Sequence, residues 1–207
     1  MIHVYGVVGR PAPALAATAG LDGAPLRAVR AGGLAAVVSE HPAPGPPTPA
    51  RLVEHERVLQ ALLPGGVVPV RYGTSAADDA AVAELVGAGA ERFGRLLGLV
   101  SGRRELGIRI HLAGAEPPAR TGTEYLLGRL DRRLAATRLA GEVDRALGPL
   151  AVDRRLLGTR PELRLAYLVD AGRLGRFRAA VSALRCAQPV VCTGPWPAYS
   201  FVGGERP

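Results

Sequence analysis

His55 and Glu56 open the pattern H-E-x-x-H, in which two histidines one helical turn apart hold zinc and the glutamate acts as a base. Position 59 is leucine, so the second ligand is missing and the metalloprotease reading fails. A buried, hydrogen-bonded His55 is expected instead. His3, His41 and His111 show no ligand spacing, and Cys186 and Cys192 stand six apart with no C-x-x-C. That cysteine usage argues against a disulfide framework or zinc site and fits a reduced, cytoplasmic setting. Cys186 lacks the local context of a nucleophile and reads as a small apolar residue. Asp78 and Asp79 fall at an expected helix start, where carboxylates meet the positive end of the helix dipole. There is no G-x-S-x-G, no P-loop, and no G-x-G-x-x-G after a strand. No catalytic, cofactor-binding or metal residue is therefore expected.

The residues that do suggest chemistry are recognition residues. TGPWPAYSFV, residues 193 to 202, holds the only tryptophan, Trp196, with Tyr199 and Phe201, three of nine aromatics in 207 residues. Aromatic rings bury large areas at small entropic cost, so a cluster in a proline-stiffened segment is either a clamp on the fold or a docking surface.

Composition narrows the classes. All 26 basic residues are arginine and the net charge is +8, with alanine, glycine and proline abundant, as in products of GC-rich genomes. The charge favours an acidic partner, but arginines and acids are interspersed: Arg129, Arg132 and Arg133 surround Asp131 on what reads as a solvated helix face. No charged segment precedes Arg10, and Pro11 and Pro13 interrupt the next stretch, which argues against a signal peptide. No apolar run approaches the ~20 residues of a membrane span. A soluble protein is expected.

The elements that position these residues suggest α+β architecture in two domains, 1–118 and 119–207. Ile2 to Val8 reads as a strand. Leu26–Arg30 and Leu34–Ser39, joined through Gly32-Gly33, read as a hairpin. The five prolines of residues 42 to 49 forbid helix, after which Thr48 as cap and Pro49 at the first position begin a helix to about 63, with Leu52, Leu59, Leu62 and Leu63 on one stripe. Val67–Val70 is a short strand, 78–99 a helix that Gly87 and Gly89 break, and Glu105–Leu112 an alternating strand that ends the first domain. Gly114 to Ala119 is the expected linker. Thr121 and Glu124 form a capping box for a helix to Leu147, stopped by Gly148-Pro149. Strands near 150–157 and 163–169, a helix over 172–186 and a last strand at 189–193 or 199–202 complete an α-β-β-α-β order, ferredoxin-like but without its first strand.

Several of these pieces, in order along nearly the whole chain, resemble the gas vesicle protein family GvpL/GvpF: MIHVYGVV, EHERVLQALLPGGVVPVRYGT, ELGIRIHL, EYLLGRL and TGPWPAYSFV. The most specific are VPVRYGT, where the family usually has Phe in place of Tyr72, and GPWPAYSFV, where a second Pro commonly replaces Ala198. The resemblance implies a non-enzymatic, two-domain α+β protein needed to build gas vesicles, associated with the small hydrophobic shell subunit and with other accessory gas vesicle proteins. It implies no catalytic residue and no cofactor.

Candidate partner-binding residues are thus Arg71, Tyr72, Gly73 and Thr74, after a strand, and Trp196, Tyr199 and Phe201. Tyr72 and the three terminal aromatics would be anchors and Arg71 a charge-pairing or hydrogen-bonding residue. The same residues could instead pack the core or tie a turn to a carboxylate. Two rival classes are a small-ligand sensor and a nucleic-acid-binding module; the latter lacks a Gly-rich aromatic strand motif for stacking bases. Neither nucleic acid nor a membrane is an expected partner.

Overall fold

The computed structural model describes residues 1–9, 15, 18–43, 45–112 and 121–203. Its strands are β1 Ile2–Val8, β2 Arg27–Ala31, β3 Leu34–Glu40, β4 Val68–Pro69, β5 Ser75–Ala76, β6 Arg103–His111, β7 Asp153–Gly158, β8 Glu162–Asp170 and β9 Val190–Trp196. Its helices are α1 Pro49–Leu62, α2 Asp79–Ala88, α3 Ala90–Val100, α4 Gly122–Leu147, α5 Leu174–Ser182 and α6 Tyr199–Val202. The chain divides into two compact units, Met1–Arg104 with Trp196–Pro207, and Glu105–Pro195.

In the first unit the strands are ordered β2-β3-β1-β4, and β5 also pairs with β1. Every residue of β1 is buried, so both faces of this central strand are covered. The β2–β3 hairpin closes through Gly32 at φ +62, a left-handed conformation that glycine adopts without strain. Register shifts between Val4 and Gly6 of β1. A Cβ on Gly6 would lie 2.6 Å from Val67 and 2.8 Å from the Val68 carbonyl, so the missing side chain lets β4 approach. Thr48 Oγ1 accepts from the Arg51 amide to start α1. The buried stripe of α1 is His55, Val58, Leu59 and Leu62. Leu52, expected on that stripe, is exposed: the i, i+3, i+4, i+7 set that starts at His55 faces inward. Asp78 caps α2 by accepting from the Ala81 amide, and α2 passes to α3 at Gly89.

The second unit has the antiparallel order β7-β8-β6-β9 with α4 and α5 between strands. Read as β6-α4-β7-β8-α5-β9, this is a complete ferredoxin-like unit. The strand that seemed missing is β6, expected from sequence at the end of the first domain. Its core combines Leu106, Ile108 and Ile110 of β6 with Val143 and Leu147 of α4, Leu163, Leu165 and Tyr167 of β8, and Phe177 and Val181 of α5. Thr121 accepts from the Glu124 amide at the start of α4, which ends at Leu147 as expected. The expected boundary at 118/119 separates neither compact unit from the other, because pairing places β6 in the second sheet and contacts place Trp196 onward in the first unit. Gly114–Ala119 lies outside the described residues.

Candidate functional site

Arg71 to Thr74 forms a turn beside β1. The Thr74 amide and hydroxyl both bond to the Arg71 carbonyl, at 3.2 and 2.9 Å. Gly73 sits at φ +88, the left-handed conformation that the third residue of such a turn requires. On either side the chain pairs with β1: Val70 N donates to Tyr5 O, and Val4 N donates to Thr74 O. The VPVRYGT segment is therefore an interrupted strand that leaves β1 between Val70 and Thr74 and presents Arg71, which is exposed, at the bend.

Tyr72 turns inward over a polar–aromatic cluster. Its ring centroid lies 5.3 Å from that of His3 and 5.8 Å from that of His55. His3 and His55 are both buried and hydrogen-bonded, Nε2 to Nδ1, at 2.9 Å. The other His55 nitrogen, Nε2, lies 3.1 Å from the Val70 carbonyl. A carbonyl can only accept, so His55 carries its proton on Nε2, and its Nδ1 accepts from His3 Nε2–H. His55 thereby fastens the residue that precedes the turn. Tyr5 stacks on His55 and accepts from the Leu21 amide, and its hydroxyl meets Ser39 Oγ at 2.7 Å, which in turn contacts His41 Nε2. Nearby, Arg51 pairs with Asp22 at 2.6 Å.

Burial first, then the neighbouring His55, His41 and Arg51, hold the His3 imidazole down at about 4, and burial also lowers that of His55. Both rings are neutral near pH 7. The adjoining cavity, lined by His3, Asp22, His41, Arg51 and Tyr72 among others, has a volume of about 20 Å³. That is room for about one water molecule. Among the described residues no three His, Cys, Asp or Glu side chains are grouped to hold a metal. The cluster holds the turn through the bond from His55 to the Val70 carbonyl and the packing of Tyr72 on both imidazoles.

His55 is buried as its sequence context predicts, and its partner is His3, which that context does not show. The signal was present: His3 and Tyr5 share one face of β1 by the two-residue period of a strand, and His55 lies on the buried stripe of the helix packed against it.

The terminal aromatics divide by burial. Trp196, at the end of β9, is 43% exposed, whereas Phe201 is 2% exposed and Tyr199 packs against the core around Tyr5 and Leu59. Burial raises the Tyr199 phenol above its usual range. Of the two sites offered for a last strand, the first is extended and 199–202 is a helical turn: Pro197, which has no N–H for a ladder, is followed by bonds from Phe201 N to Ala198 O and from Gly203 N to Tyr199 O. Arg92 donates to the Val202 carbonyl at 3.1 Å. This turn, α6, packs beside β4, so the two candidate segments, far apart in sequence, belong to one unit. Arg71 and Trp196 are exposed; Tyr72 and Tyr199 are half-buried, and Phe201 belongs to the interior.

The comparisons with known proteins agree with this architecture. The family model for the gas vesicle synthesis protein GvpL/GvpF matches residues 1–203. The chain is 32% identical to gas vesicle protein L of Streptomyces sp. (strain CB03234), covering 89% of this chain and 85% of that protein. It is 27% identical to gas vesicle protein F of the same strain, covering 97% and 98%. Among solved structures it resembles gas vesicle protein GvpF from Microcystis aeruginosa, with a TM-score of 0.78 at 17% identity over 97% of this chain and 98% of that one. It likewise resembles GvpF from Anabaena sp. PCC7120, with a TM-score of 0.81 at 18% identity over 99% and 97%. At such identities the two crystal structures establish the fold alone, and the family follows from the match along the sequence: this chain belongs to the gas vesicle GvpL/GvpF family.

Proposed function

We propose that this protein is a non-catalytic accessory or minor structural component of gas vesicle formation, acting at the vesicle in the cytoplasm. It binds the hydrophobic shell subunit and other gas vesicle proteins during assembly. A shell that keeps water out of a gas space needs a strongly apolar face, and an unassembled subunit bearing that face would aggregate. Transient cover by a soluble partner prevents this. Among the described residues no helix is long and apolar enough to cross a membrane.

The observation that carries the reading is that one unit holds both an exposed Trp196 and an exposed Arg71, each backed by packed residues of its own segment. An aromatic and an arginine on firm supports are the usual anchors of protein interfaces. Tyr72, Gly73 and Thr74 shape the turn that carries Arg71, and Tyr199 and Phe201 hold the segment after Trp196. The cavity beside His3 and Tyr72, at about 20 Å³, holds about one water molecule and not a small organic ligand.

The test is co-purification of the shell subunit with wild type, Trp196→Ala and Arg71→Ala, each checked for folding by circular dichroism. Retention of the subunit is expected to fall at least tenfold in each variant. Folded variants that retain it as wild type does would refute the assignment of these residues.

A further inference from the structure

The second unit carries a different surface, separate from the residues assigned to the shell subunit. In α4 the inward residues are Ala136, Val143 and Leu147, all in its C-terminal half. In its N-terminal half Leu126, Leu130 and Leu134, spaced four apart on one face, are 64%, 51% and 45% exposed. β7 lies alongside. Arg154 at one end of β7 pairs with Asp144 at 2.9 Å, and Arg160, past its other end, donates to the Arg129 carbonyl. Among the described residues β7 is also an edge strand, paired with β8 alone, and its Leu156 is 54% exposed. Between this edge and α4 runs a groove of about 270 Å³, floored by Ala140 and Gly141 on the helix and walled by Leu156 and Leu165 on the strands.

A helix with small residues beside an open strand edge is the geometry in which an extended peptide joins a sheet. Its backbone bonds to the edge, and alternate side chains enter the groove. We propose that the α4–β7 groove binds an extended partner segment as an added strand, with apolar residues at alternate positions and carboxylates between them. Charge selects this occupant. Arg154, Arg155 and Asp144 line the groove, with Asp144 paired to Arg154 and Asp153 4.0 Å from Arg155. Arg129 and Arg133 on the neighbouring turns of α4, flanking Asp131, leave its surroundings net positive, in a chain whose net charge is +8. Edge-to-edge pairing with a second copy in the antiparallel register that opposes Arg154 with Arg155 would set like charges against each other, which disfavours that pairing. An acidic strand meets them favourably. The groove and its charge are independent of the gas vesicle assignment.

The probe is a blocked eight-residue peptide alternating glutamate with valine, with a lysine–valine peptide as control, titrated into the full chain by fluorescence anisotropy. The glutamate peptide is expected to bind at least tenfold more tightly than the lysine peptide. At saturation it should slow hydrogen exchange of β7 amides at least tenfold. Gly141→Gln is expected to weaken binding at least tenfold while the protein stays folded, because a Cβ there would meet nothing within 4 Å beyond its own helix backbone and chain neighbours. Val191→Glu, on the opposite edge strand β9, should leave binding unchanged. Absence of binding, binding without protection of β7, or equal loss in Val191→Glu would each overturn the proposal. So would concentration-dependent self-association through β7, which would make a second copy the occupant.

Discussion

Acidification is expected to loosen the first unit through His3. In the folded protein burial, aided by His55, His41 and Arg51, depresses its imidazole to about 4 from the ordinary 6.5. Because the folded value lies below the unfolded one, the contribution of neutral His3 is fully present above about pH 6.5 and is lost as pH falls through about 4. Protonation of the unfolded chain drives the loss. The full difference corresponds to about 3 kcal/mol, and at pH 5 about 2 kcal/mol of it is already gone. For a chain of this size that lowers the melting temperature by about 4–8 °C. His3→Gln removes the titration while leaving an amide donor for His55 Nδ1. The assay is thermal unfolding followed by circular dichroism at pH 7.5 and pH 5 for both proteins, since their difference isolates His3 from every other titrating group. Wild type should lose about 2 kcal/mol more than the variant over that interval. Parallel pH dependence in the two proteins would show that the His3–His55 bond is not a buried neutral pair.

Two other substitutions test the packing. Phe201→Ala should cost about 3–5 kcal/mol in urea unfolding, as loss of a buried ring does, whereas Trp196→Ala should cost about 1–2 kcal/mol because the residue is 43% exposed; equal costs would contradict the division of the terminal aromatics. Gly6→Ala should cost about 1–3 kcal/mol, since its Cβ would meet both Val67 and the Val68 carbonyl, and a neutral result in the same measurement would mean that β4 can move away.

Local signals carried much of the architecture. Thr48, Asp78 and Thr121 start helices because their side-chain oxygens accept from amides within the next turn, and that chemistry is visible in three or four consecutive residues. Strand partners are not local. Glu105–Leu112 read correctly as a strand, yet its sheet was decided by Leu106, Ile108 and Ile110 packing with residues from 143 to 181. The same limit hid the link between His3 and His55, which are 52 positions apart. Residues 199–202 carry β-prone types, but Pro197 denies them a ladder, so packing on the first unit draws them into a turn instead. At the candidate site, composition identified the aromatics; burial alone separated exposed Trp196 from interior Phe201.

The first unit has an unusual birth. Its opening 104 residues leave the ribosome long before Trp196, Phe201 and Val202, with the whole second unit made in between. At ordinary synthesis rates of 5–20 residues per second, that interval is about 5–20 s. Throughout it β4 has no α6 beside it, while the residues of the second unit emerge and can already pair among themselves. A nascent chain therefore waits with part of its first core open until residues 196–202 have been made, and that open interval is when a chaperone would find it most receptive.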